Sequence, residues 1–252
     1  MLSPPARTID EVIGALDAII ARALKDGSRM GYFAALYRRV TQRVKDGIAA
    51  GRFEDGPRME RLDVNFANRY LEALAAFESG NPVTRSWQVA FQAVTEHSPL
   101  VLQHLLAGMN AHINLDLGIA AAVTCPGDQL PPLHTDFNRI NDVLSELVGT
   151  VEREMAAISP VVAMLEKIGL RTATAIVNFS MTKARDFAWL QARKQAALPE
   201  SARDAAIGIL DLEVELLGRA LVHPPLKLRL KLMPIRAVEN DDIRRNVEIL
   251  AV

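Results

Sequence analysis

PLVLQHLLAGMNAHINLDLGIAAAVT, residues 99–124, is the stretch that decides how this chain is read. Pro99 suits a first helical turn, no further proline interrupts the run, and Cys125-Pro126-Gly127 breaks it. Apolar residues surround the predicted helix on nearly every side, which marks a helix enclosed by others rather than one lying on a surface. Between Val101 and Val123 it also carries His104, Asn110, His112, Asn114 and Asp116, so it does not read as a membrane span. No other stretch approaches the roughly 20 apolar residues that a span needs.

Further helices follow on both sides. Thr8 with Asp10 and Glu11 starts one that Asp26-Gly27-Ser28 ends. Others are predicted from Tyr32 to Ile48 and from Arg58 to Phe77, and Thr84 is the expected cap of a short helix holding Trp87 and Phe91. Beyond Pro131-Pro132 come Thr135 to Ile158, a segment from Ser159-Pro160 to Gly169, Thr172 to Leu198, Ser201 to Val222 with an acidic side of Asp204, Asp211 and Glu215, and Asp241 to Leu250. Connections are short and no linker or repeat divides the chain. The expected fold is all-α: a multi-helix bundle forming a single domain over 1–252, with a largely buried central helix. Leu226-Lys227-Leu228-Arg229-Leu230-Lys231-Leu232 alternates with the period of a strand. It is expected as a short helix or extended segment packing its leucines on the bundle, with a membrane, acidic-partner or dimer contact as alternatives.

Half the residues are hydrophobic and 23% are charged, which excludes a disordered chain. Aromatics are only 5%, a balance that favours helix over strand. With 29 basic and 30 acidic residues no global field draws in nucleic acid. The single cysteine, Cys125, agrees with a reducing compartment, and the start of the chain lacks the features of a secretory signal, so a cytoplasmic location is expected. A small-molecule ligand and a homodimer are the partners left open.

Polar residues on inward faces are the candidates for a site. On the central helix His112 and Asp116 share a face at i and i+4, with Gly108 one turn earlier leaving space beside them. Asp63 interrupts the apolar stripe of Met59, Phe66, Tyr70 and Phe77, while Asp136 opens the next long helix just after His134. Buried carboxylates are costly unless paired, hydrogen-bonded or bound to metal. The set therefore reads in three ways: a self-satisfied polar network, acid–base catalysis by His112, Asp116, Asp136 and Asp63, or a metal held by His112, Asp116, His134 and Asp136. Imidazole and carboxylate without thiolate would suit zinc, iron or manganese. Arg69 and Arg185 are candidate counter-ions. Glu-x-x-His pairs, HExxH, Walker, GxGxxG and GxSxG motifs do not occur. Asn141-Asp142-Val143-Leu144-Ser145 resembles the opening of a terpene-cyclase metal motif, but Gly149 stands where its carboxylate belongs.

Three segments, Leu62-Asp63-Val64-Asn65-Phe66-Ala67-Asn68-Arg69-Tyr70-Leu71, Gly108-Met109-Asn110-Ala111-His112-Ile113-Asn114-Leu115-Asp116-Leu117 and Asp136-Phe137-Asn138-Arg139-Ile140-Asn141, together resemble a bacterial all-helical family known only as a domain of unknown function. The second segment is the most specific, and the resemblance extends over most of the chain. It implies that these motifs belong to one fold and implies no reaction. Two functional readings follow: a small-molecule enzyme with a His/Asp site between helices, or a non-catalytic ligand-binding or scaffold protein whose polar residues fix helix register.

Overall fold

A computed structural model describes residues 5–160 and 180–252, and within them every regular element is helical. Local signals set most boundaries. α1 (Ile9–Asp26) begins where the Thr8 hydroxyl accepts the Glu11 N–H and ends at Gly27, whose φ of +64° is the left-handed conformation glycine adopts without strain. α2 (Met30–Ala49) stops before Gly51, and α3 (Gly56–Glu78) is capped by Asp55 with Pro57 in its first turn.

α4 (Arg85–Ala93) departs from expectation at its start. Thr84 sits in the cap position but makes no capping bond; the Arg85 and Ser86 N–H groups donate instead to the Asp211 carboxylate, at 2.7 and 3.0 Å. Asp211, on the acidic side of its helix, is buried, because it serves as the cap of a helix distant in sequence.

The stretch quoted first forms one continuous rod. It comprises α5 (Val101–Met109), a π-helical segment (Asn110–Leu117) and α6 (Gly118–Thr124). α2, α4 and α9 (Glu200–Val222) pack on α5; α3, α4, α8 (Met181–Ala197) and α9 on the π segment; α3 and α8 on α6. All eight residues of the π segment are buried. After two 3-10 turns come α7 (His134–Ile158), α8 (Met181–Ala197), α9 (Glu200–Val222), α10 (Leu226–Arg236) and α11 (Ile243–Ala251). The helix expected from Ser159-Pro160 to Gly169 and the first part of the one expected from Thr172 lie outside the described residues.

The alternating segment is a helix. Leu232 and Ile235 bury on the bundle with Leu228 half-buried beside them, whereas Leu226, Leu230 and Met233 face outward, so helical spacing and not the period of two governs its packing. Among the described residues no helix is long and apolar enough to cross a membrane. α11 closes the bundle against α1, α2 and α7. Arg39 of α2 ties this corner together by pairing with Glu154 of α7 and reaching the Leu250 carbonyl.

Candidate functional site

The three aspartates expected to face inward do so: Asp63, Asp116 and Asp136 are 7%, 1% and 0% exposed. Their surroundings differ. Asp116 accepts from Arg69 Nε at 2.7 Å and from Trp87 Nε1 at 2.7 Å. His112 Nδ1 lies 3.7 Å from its Oδ2, too far for a hydrogen bond. Asp136 accepts the Glu54 and Asp55 N–H groups at 2.7 and 3.0 Å, Arg58 at 2.9 Å and Arg139 at 3.1 Å. Burial alone would raise its pKa, but these donors together hold it below the ordinary carboxylate range. It thus anchors the 54–55 loop ahead of α3 and does not cap its own helix. Asp63 accepts no hydrogen bond among the described residues, and burial, with the charge of Glu60, pushes its pKa up to about 7.

Asp63 lines a cavity of about 400 Å³ between α2, α3, the central rod, α7 and α8. Its wall is overwhelmingly apolar, with Val40, Met59, Phe66, Ile113, Leu144 and Met181 among the contributors. Tyr37, His112 and Arg185 join Asp63 as its buried polar residues. The Tyr37 hydroxyl, Asp63 Oδ2, both His112 nitrogens and Arg185 Nε have no hydrogen-bond partner among the described residues. Phe66 stacks on the His112 ring at 3.5 Å between centroids, and Tyr37 meets it edge-on at 4.4 Å. Burial in this aromatic setting lowers the His112 pKa despite the nearby Asp116, so the ring is a neutral acceptor. Tyr37 is driven well above its usual pKa by burial and by the charge of Asp63, and remains protonated. Arg185 donates to the Phe137 carbonyl and lies over the Phe137 ring at 4.5 Å, the stacked alternative to a counter-ion, and burial pulls its pKa to about 10. Arg69, by contrast, is the counter-ion of Asp116.

The space expected beside Gly108 belongs to Phe33: a Cβ on Gly108 would stand 2.7 Å from that ring. His134 is exposed, stacked on Trp189 at 4.5 Å, with Nε2 3.1 Å from Asn138. His112 and Asp116 are neighbours, whereas His134 and Asp136 stand in other surroundings, and among the described residues no group of three His, Cys, Asp or Glu side chains is placed to hold a metal. His104 is a core residue, edge-on to Tyr32, with both ring nitrogens unpartnered and a pKa lowered to about 3 by burial. Cys125 is buried, and its thiol is pushed up by burial. Tyr37 escaped the sequence reading; its signal was a polar tip one turn after Phe33, beside the stripe of Leu36, Val40 and Val44.

Asn141 and Ser145, from the segment with the incomplete terpene-cyclase likeness, also line the cavity. Comparison with curated proteins and with solved structures finds no match. A family model described as "Family of unknown function (DUF5995)" matches residues 9–224, which take in every residue named in the cavity wall. On that match over most of its length, the chain belongs to the DUF5995 family.

Proposed function

We propose that this protein binds an apolar small molecule in the cavity between α2, α3, the central rod, α7 and α8, with the polar group of the ligand received by Asp63, Tyr37 and His112. One observation carries the reading: buried polar atoms without partners line a cavity whose other walls are apolar. Each unsatisfied buried group costs about 1–3 kcal/mol, and an apolar wall left facing water forgoes the stabilisation that burial against a ligand would give. A volume of about 400 Å³ lies within the range of small-molecule sites. A ligand with an apolar body and a small polar end would offset both costs at once.

The reading is tested with 1-octanol, a neutral chain with one polar end. Saturable binding by calorimetry and a rise in melting temperature are expected for the natural protein. Both should be weakened in Leu144→Trp and Met181→Trp, where half-buried wall residues become larger and take up room in the cavity. Absence of saturable binding to the natural protein would sink the reading.

A catalytic use of the same place is the second reading, favoured by one observation: a carboxyl raised to about 7 and a neutral imidazole line one cavity, a pair suited to proton transfer near neutral pH. Of the four residues expected to be catalytic, Asp63 and His112 support it, while Asp116 and Asp136 hold arginines and N–H groups in place. Turnover of a bound compound, lost in Asp63→Asn, would favour it over binding alone. The set of four metal ligands gains no support, because only His112 and Asp116 of the four are neighbours and no three such side chains come together among the described residues. The setting that goes with either reading is the cytoplasm, where the free, buried thiol of Cys125 has no disulfide to make.

A further inference from the structure

We infer that the ligand of this cavity is a lipophilic amine, bound as its ammonium ion by Asp63, Tyr37 and His112. The inference rests on the binding reading above and names the chemical class. It starts from the contrast between the three buried aspartates. Asp136 has two arginines and two N–H groups, and Asp116 has an arginine and an indole N–H. Asp63 has no donor among the described residues, and it is the one of the three that lines the cavity.

A buried carboxylate lacking a protein cation is complemented by a cation brought in from outside. Among the described residues, the charged and titratable groups around it supply none. Glu60 on its own helix adds negative charge, Tyr37 on α2 stays a neutral phenol, His112 on the rod is held neutral, and Glu152 lines the cavity from α7. Arg185 on α8 is engaged with Phe137 and is not among the charges acting on Asp63.

The acceptor inventory fits the same class. An ammonium ion has three N–H donors and no acceptor. The Asp63 carboxylate, the Tyr37 hydroxyl oxygen and an unprotonated His112 nitrogen are unpartnered acceptors lining one cavity. Phe33 and Tyr37 add aromatic rings to the lining, which suit a cation, and the apolar wall receives the chain. A carboxylate ligand would meet Asp63 with like charge.

Three probes with the same eight-carbon chain separate the possibilities: n-octylamine, 1-octanol and octanoate, each measured by calorimetry on the full chain at pH 8 and pH 6. Octylamine is expected to bind tightest at pH 8. Its affinity should fall roughly tenfold at pH 6, because Asp63 titrates near 7 while an alkylamine stays protonated throughout. Asp63→Asn should abolish the preference for the amine and its pH dependence while 1-octanol binding persists, which also reports that the variant is folded. Asp63→Leu serves as a second variant with the same expected result. Octanoate binding best, octylamine binding no tighter than 1-octanol, or an amine preference surviving in Asp63→Asn would each overturn the inference and leave the cavity reading standing. Failure of all three probes on the natural protein would overturn both.

Discussion

Asp63, Asp116 and Asp136 are chemically the same side chain, and their partners divide them into two anchors and one group without a partner among the described residues. Because the folded pKa of Asp63 lies above its unfolded value, its contribution to stability is complete below about pH 4 and is lost as pH rises toward 7. The loss is on the order of 4 kcal/mol. Asp63→Asn should therefore raise the urea midpoint at pH 8 and leave it nearly unchanged at pH 4; equal midpoints for the two proteins at pH 8 would contradict the unpaired, buried carboxyl. Asp136 has the opposite sign. Its depressed pKa contributes stability above the ordinary carboxylate range that is lost as acid protonates it, and Asp136→Ala should cost about 3–5 kcal/mol at neutral pH by stranding Arg58 and the 54–55 N–H groups. Chemical denaturation at pH 7 measures this, and a loss under 1 kcal/mol would remove Asp136 from its anchoring role.

Elements meet where small residues permit it. On α6, Gly118 faces the alanine side of α8, and a Cβ there would stand 2.6 Å from the Ala188 carbonyl oxygen. Backbone cannot swing aside as a side-chain tip can, so Gly118→Ala should destabilise the protein by about 1–3 kcal/mol even though alanine is the better helix former. An unchanged melting temperature would mean that the rod and α8 are not in contact at that point. The π segment between α5 and α6 widens the rod where His112, Asn114 and Asp116 must face different neighbours. Asn110 lies at its start, donates to the Val214 carbonyl at 2.8 Å and accepts from Asn114 at 2.9 Å, which joins the rod to α9. The cap of α4 shows the same dependence on a distant partner. Asp211→Ala should cost about 2 kcal/mol, because two N–H groups at that helix start lose their acceptor, while Thr84→Ala should change stability little.

For the whole molecule, the C-terminal helices belong to the structural unit although the family match ends at residue 224. Asn246, Val247 and Leu250 are buried, Gly31 lies so close to Val247 that a Cβ would stand 2.8 Å away, and Glu239 accepts the Val101 N–H at the start of the central rod. A chain truncated after Pro224 should lose its cooperative thermal transition, followed by circular dichroism at 222 nm. A sharp transition at an unchanged temperature would show that α10 and α11 are accessory.

Helical class, the buried rod over 99–124 and the inward faces of Asp63, His112, Asp116 and Asp136 are legible in the sequence, because periodicity and glycine or proline breaks act within a few residues of one another. Thr8 and Gly27 are read correctly for that reason, and Thr84 is not, since its helix is capped by a residue more than a hundred positions away. Helical phase says that a carboxylate points inward but not what it meets there. Arg58 reaches Asp136 across 78 positions and Arg69 reaches Asp116 across 47, and these pairings, decided only by tertiary packing, leave Asp63 as the one without a partner among the described residues. The cavity is likewise a property of five elements brought together, and no single helix carries its signature. Local sequence sets the direction of a side chain, whereas its electrostatic partner depends on which helices pack beside it, and that choice sums weak contacts over the entire chain.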